Sequence, residues 1–280
     1  MKNSINKFIR RFGYEIRSVK VPLIYTQEQS STKGLTVEFV GAPGIGKTTF
    51  FNKIYPPPCE KMWFTRNDLY KAHPYGINID ALKYIDNRLS SAYSCMLSHL
   101  YNRMLKMDFQ LHRVVEFYSF HIQIARYDAL IRYGNFSRGF LLDEGFLKNF
   151  AEEIVFIYSL AEEGNPLVKT DELKQLWENR VIVYISAGED YVVNNLKKRA
   201  LKSEDVISNW YSFYGEERTK LFVRKEVSNA EKLFSIAKEN KVKTLCLNIE
   251  NEEEKQMVEK FSCFINSLID NKKSAFSECL

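Results

Sequence analysis

Residues 34–55 constrain this chain more than any other stretch. Leu35 to Val40 alternates and is rich in β-branched and aromatic side chains, the pattern of a short strand. Gly41-Ala42-Pro43-Gly44-Ile45-Gly46-Lys47-Thr48 follows at once and fits the spacing G-x-x-x-x-G-K-[ST], and Thr49 to Tyr55 can continue as a helix. A strand before and a helix behind are the context in which this spacing makes a phosphate loop. Glycines let the backbone curl so that successive N–H groups, from Gly41 to Thr49, face phosphate oxygens, and the helix adds its positive N-terminus. Lys47 is expected to reach the β- and γ-phosphates and the Thr48 hydroxyl to ligate Mg²⁺, so ATP and Mg²⁺ are the expected cofactors.

The rest of the chain alternates strands with helices. Lys61 to Thr65 reads as a second strand, followed by Arg66. Residues 79–107 and 109–133 read as long helices, with Leu82, Ile85, Leu89, Ala92 and Met96 on one face. Gly139 to Leu142 is an apolar strand ending in Asp143-Glu144-Gly145. An acid at the end of a buried strand, downstream of a phosphate loop, is the expected second Mg²⁺ contact, although Asp and Gly also suit a plain turn. Helices are expected over 146–162 and 170–179. Val181 to Ser186 is a nearly continuous apolar run, which suits a central parallel strand. Helices over 189–201, 216–240 and 251–269 then frame a strand from Lys243 to Asn248. This order predicts an α/β, three-layer P-loop NTPase fold: a five-stranded, mainly parallel sheet flanked by helices, beginning near Gly34 and running to about residue 272.

Composition narrows the function. The chain has 40 basic and 35 acidic residues, but Lys2, Lys7, Arg10, Arg11, Arg17 and Lys20 face one acid, Glu15, in the first 20 positions. The remainder is balanced, so no nucleic acid partner is expected. Ile5, Phe8, Ile9, Phe12, Ile16 and Val19 fall near helical spacing between those basic residues. Residues 1–33 thus form a basic amphipathic extension. Its first 20 residues are a candidate for peripheral contact with an anionic membrane, or for docking on their own domain. Five dispersed cysteines and four histidines without ligand spacing argue for a reducing, cytoplasmic setting and against zinc. No segment reads as long and apolar enough to span a bilayer.

The phosphate loop, the strand ending Asp143-Glu144 and the strand-helix-basic cluster over 181–204 occur in the order seen in the P-loop nucleoside and nucleotide kinases, which the chain resembles over about residues 34–270. Thymidylate kinase and the deoxynucleoside kinases look nearest. The resemblance implies a basic lid over about 197–218, where Lys198, Arg199 and Lys202 stand with Glu204 behind them. It implies a helical acceptor-binding region over about 56–138, and an acceptor-holding arginine, for which Phe64-Thr65-Arg66 looks similar. Where that family carries Asp-Arg or Glu-Arg near its third strand, this chain has Asp143-Glu144-Gly145, so the acceptor is not transferable. Phe12-Gly-Tyr-Glu-Ile-Arg17 looks like the start of some enzymes encoded with bacterial surface-polysaccharide genes, which keeps a sugar-linked acceptor in view.

The expected activity is transfer of the ATP γ-phosphoryl group to a nucleoside, nucleotide or sugar-linked acceptor. Such chemistry needs positioning and charge neutralisation above all. Lys47, Thr48 and Asp143 would serve the triphosphate and Mg²⁺. Arg199, with Lys198 or Lys202, would cover the charge of the transition state. Glu144 is the candidate base, or else an acid favoured at a helix N-terminus. Basic residues over 197–202 also suit a solvated helix end. The rival class is a nucleotide-dependent ATPase, switch or regulatory protein at the membrane surface. Asn52-Lys53-Ile54-Tyr55 fails the guanine-binding Asn-Lys-x-Asp pattern, and no Leu-Ser-Gly-Gly signature of transporter ATPases occurs.

Overall fold

The computed structural model describes residues 32–55, 62–72, 90–106, 128, 130–133, 136–202 and 210–277. The amphipathic segment over 1–20, residues 79–89 and 107 of the helix expected over 79–107, most of that over 109–133, and Glu204 lie outside the described residues.

The elements run β1 (Thr36–Val40), α1 (Lys47–Ile54), β2 (Trp63–Phe64), α2 (Arg66–Ala72), α3 (Ser90–Leu105) and α4 (Leu130–Tyr133). They continue with β3 (Gly139–Leu142), α5 (Phe146–Asn149), α6 (Ala151–Glu162), α7 (Thr170–Gln175) and β4 (Arg180–Ser186). The chain then forms α8 (Glu189–Lys202), α9 (Trp210–Glu239), β5 (Lys243–Asn248) and α10 (Glu254–Ser277). One sheet holds all five strands in the order β2-β3-β1-β4-β5, and every pairing is parallel. Register sets Glu38 of β1 beside Leu142 of β3 and Ile182 of β4. Because β1 and β3 are parallel neighbours, the loops that leave them at Gly41 and Asp143 emerge side by side at the carboxyl edge, where open α/β sheets bind ligands.

Both faces of the sheet are covered. Val181, Val183 and Ile185 of β4 enter one apolar core with α1, α8 and α10, while Ile182 and Tyr184 enter the other with α3, α5, α6 and α9. That accounts for the strand's unbroken apolar run. On the first side, Phe39 meets Phe50, Phe51 and Phe261 at ring separations of 5.8–6.2 Å. α10 contributes Met257, Phe261, Ile265 and Leu268, a helical stripe.

On the second face β1 breaks the apolar pattern with Glu38, which is fully buried. A buried carboxylate is tolerated only when paired and hydrogen-bonded. Arg180 of β4 supplies the pair, and the Leu147 N–H donates to Glu38 Oε2 at 2.8 Å. Arg180 also pairs with Asp128, which accepts from the Tyr93 hydroxyl and from Arg132 Nε at 2.9 Å.

Several boundaries differ from the sequence expectation. β2 keeps only Trp63 and Phe64 because it is an edge strand that pairs with two residues of β3, Gly139 and Phe140. The helix expected over 146–162 is two, since Phe150 at φ −119°, ψ 25° leaves the helical region. α9 is broken at Gly215, whose φ of 72° suits a residue without Cβ; its longer part, beyond the break, is the helix expected over 216–240, and the short stretch from Trp210 before the break was not expected.

Candidate functional site

The phosphate loop owes its shape to glycines at its two ends. At Gly41, φ is 151° and an added Cβ would lie 2.6 Å from the Ile185 carbonyl oxygen. At Gly46, φ is 105° and a Cβ would lie 2.9 Å from Ile249 Cδ1. Between them Ala42 and Ile45 are buried, anchoring the loop, while Pro43 and Gly44 are half-buried. Gly46 is the N-cap of α1 and offers no side chain to the first helical turn, the arrangement an anion can complete. Thr48 and Thr49 are exposed on that turn.

Lys47 is buried, and its Nζ donates to the carbonyls of Gly41 at 2.6 Å and Ala42 at 2.8 Å. Its ammonium thus lies inside the curl of the loop. Burial pushes its pKa down to about 7, and Lys148 pushes the same way, while Glu144, Glu226 and Asp143 oppose them.

Asp143 is buried at the end of β3, and its Oδ2 accepts from the Thr48 hydroxyl at 3.2 Å. Arg66, the first residue of α2, spans both acids: Nη1 lies 2.7 Å from Glu144 Oε2 and Nη2 lies 3.5 Å from Asp143 Oδ2. Its place is fixed by the cap of α2, where the Thr65 N–H and hydroxyl donate to Asp68 Oδ2 at 2.8 and 2.9 Å. One hydroxyl and one carboxylate are hard oxygen donors. Mg²⁺ is held by few protein oxygens with phosphates and waters completing its shell, so these residues fit it. Among the described residues, no group of three or more His, Cys, Asp or Glu could hold a metal alone.

The fold therefore brings together Lys47, Thr48, Asp143, Glu144 and Arg66. It leaves Lys198 and Arg199 exposed on α8, and the side chain of Lys202 lies outside the described residues. Their neighbour Lys197 stands 3.7 Å from Glu216 and 5.9 Å from the Tyr211 ring centre, tying α8 to the start of α9. Two charges that the sequence reading missed act on Lys47: Lys148 of α5 and Glu226 of α9, whose own pKa is raised by burial. Lys148 lies only one position from Leu147 in the short α5, but nothing in its local spacing ties it to Lys47. Nothing in sequence links Glu226 to the loop. A cavity of about 180 Å³, lined in part by Lys33, Thr36, Arg132, Arg138, Glu178 and Arg180, lies at the opposite, amino edge of the strands and contains none of these site residues.

A central strand running into this loop, a parallel neighbour leading into Asp143, and the all-parallel strand order β2-β3-β1-β4-β5 define a P-loop α/β fold. Comparison of the chain with protein-family models and with curated proteins returns no match. Among solved structures, deoxyadenosine kinase from M. mycoides with bound dATP matches it over 83% of this chain and 100% of its own, at 12% identity and a TM-score of 0.40. That likeness is too slight to add to what the strand order and the loop define. Among the described residues, no helix is long and apolar enough to cross a membrane.

Proposed function

We propose that the chain is a Mg²⁺-dependent phosphotransferase that moves the γ-phosphoryl group of ATP to a nucleoside, nucleotide or sugar-linked acceptor. The observation that carries this reading is the meeting of Thr48 and Asp143 at 3.2 Å beside the buried Lys47 ammonium. In it, residues 34–272 form the catalytic domain and residues 1–33 an extension before it. The backbone from Gly41 to Thr49 holds the triphosphate, with Lys47 on its β- and γ-oxygens. Thr48 and Asp143 hold Mg²⁺, which when bound neutralises charge on those oxygens. Arg66 orients the acceptor, and Glu144, 2.7 Å from Arg66, takes the acceptor hydroxyl proton. Arg199, Lys198 and Lys202, at the end of α8, cover the transferring group once the nucleotide is bound.

The test is a panel of nucleosides, nucleotides and sugars presented to the full-length protein with Mg²⁺ and ATP. ADP formation is measured together with phosphorus NMR of the acceptor. Acceptor-dependent ADP with a new phosphoester supports the reading. ADP released at the same rate without acceptor replaces it with an ATPase, and no nucleotide binding at all removes it.

A further inference from the structure

α5 carries a defect at its start. Its N-cap is Gly145, which has no side chain to receive the N–H groups of the first turn. One of those groups, the Leu147 N–H, is instead received by Glu38 Oε2 at 2.8 Å, from the central strand of the sheet. The carboxylate reaches it by passing directly beneath Gly145. A Cβ at that position would overlap Glu38 Oε2 and lie 2.6 Å from its Cδ. The φ of −126° at Gly145 is ordinary extended backbone, so space for Glu38, not backbone freedom, is what excludes a side chain here. Arg180, itself buried, holds the other oxygen of the same carboxylate, and Asp128 holds Arg180.

This contact bears on the site because of what it spans. Glu38 is in register with Leu142, so its backbone lies beside the last residue of β3 and its side chain grips the chain five residues later. The turn between those two anchors is Asp143-Glu144-Gly145-Phe146. We infer that Glu38 is a positioning residue for the metal carboxylate: by closing the turn over Gly145, it fixes Asp143 against the Thr48 hydroxyl. This rests on the reading of Thr48 and Asp143 as the Mg²⁺ ligands. The phosphate loop does not depend on it, since Lys47 and the loop carbonyls are joined on their own.

Gly145→Ala tests the contact while leaving the Glu38–Arg180 charge pair chemically intact. The full-length variant and the unaltered protein are titrated with a fluorescent ATP analogue, first in EDTA and then against increasing Mg²⁺. The expected result is a metal-free affinity within about twofold of the unaltered protein and a half-saturating Mg²⁺ concentration raised about 10- to 100-fold, the range for disturbed partners of metal ligands. Glu38→Gln, which keeps the shape but loses the charge, is expected to move the Mg²⁺ midpoint the same way. It keeps the test decisive should Gly145→Ala fail to fold. A folded variant with an unchanged Mg²⁺ midpoint overturns the inference. If the unaltered protein binds nucleotide with no Mg²⁺ dependence, the metal reading of Thr48 and Asp143 falls first, and the inference with it.

Discussion

The Thr48 hydroxyl and the Asp143 carboxylate, 95 residues apart in the chain, meet at 3.2 Å because β1 and β3 are parallel neighbours that end at the same edge. Thr48 stands in the opening turn of α1, and Asp143 is the residue that follows β3. The site is thus set by two adjacent strand ends, and its separate parts can be tested one at a time.

Lys47 is the first part. Replacing it with Ala removes the ammonium that bonds the Gly41 and Ala42 carbonyls and should weaken ATP-analogue binding roughly 10- to 100-fold, the size of a lost charge-assisted hydrogen bond to phosphate. Thermal stability should not fall, since a buried ammonium is costly to keep. Fluorescence titration with a melting curve checks both, and unchanged affinity would refute the site.

The same lysine should leave a mark on pH dependence. Its pKa of about 7 in the free protein means that it is largely neutral at pH 8. A bound polyphosphate favours the ammonium, so binding at pH 8 should take up close to one proton and at pH 6 almost none. Affinity then falls as pH rises above about 7, by up to tenfold per unit. Folding shows the opposite sign. The unfolded chain holds this proton up to about 10.5, so the burial penalty of Lys47 fades as pH climbs from 7 towards 10.5. Calorimetry in two buffers of different ionisation enthalpy reads the proton uptake.

Glu144 and Arg66 form a half-exposed pair, and their two roles separate in kinetics. Glu144→Gln should lower acceptor-dependent turnover by about 100-fold or more if it takes the proton, with nucleotide affinity nearly unchanged. Arg66→Ala should chiefly raise the acceptor KM. Equal, fully coupled losses in kcat for both variants would make Glu144 only the arginine's partner.

Glu153 on α6 is buried. Burial raises its carboxyl to about 7 against the opposing pull of Arg103, 3.1 Å away. The folded protein therefore holds a proton here between pH 4.5 and 7 that the unfolded chain has lost. Stability from this group is full below 4.5 and gone above 7. Glu153→Gln should stabilise the fold at pH 8 by roughly 1–3 kcal/mol, read as a higher melting temperature, and change it little at pH 5. A variant that is equally stabilised at both pH values would exclude the mechanism.

The amino-acid sequence by itself determined the phosphate loop, the strand and helix around it, β3 and β5 with the limits observed, and the place of Asp143. Those features are local: glycine spacing, side-chain alternation and apolar runs act over a few neighbouring residues, and their physics is complete within the segment. Arg66 was legible only through a resemblance, and the bond that makes it useful crosses 78 positions to Glu144. The order of the strands, the charges of Lys148 and Glu226 on Lys47, and the Glu38 carboxylate under Gly145 were decided by the tertiary structure alone. In sequence Glu38 is one polar residue in an alternating strand, the ordinary mark of a solvent face. The fold covers that face, and burial turned the same residue into a paired anchor, because a carboxylate removed from water must find its partners wherever packing brings them.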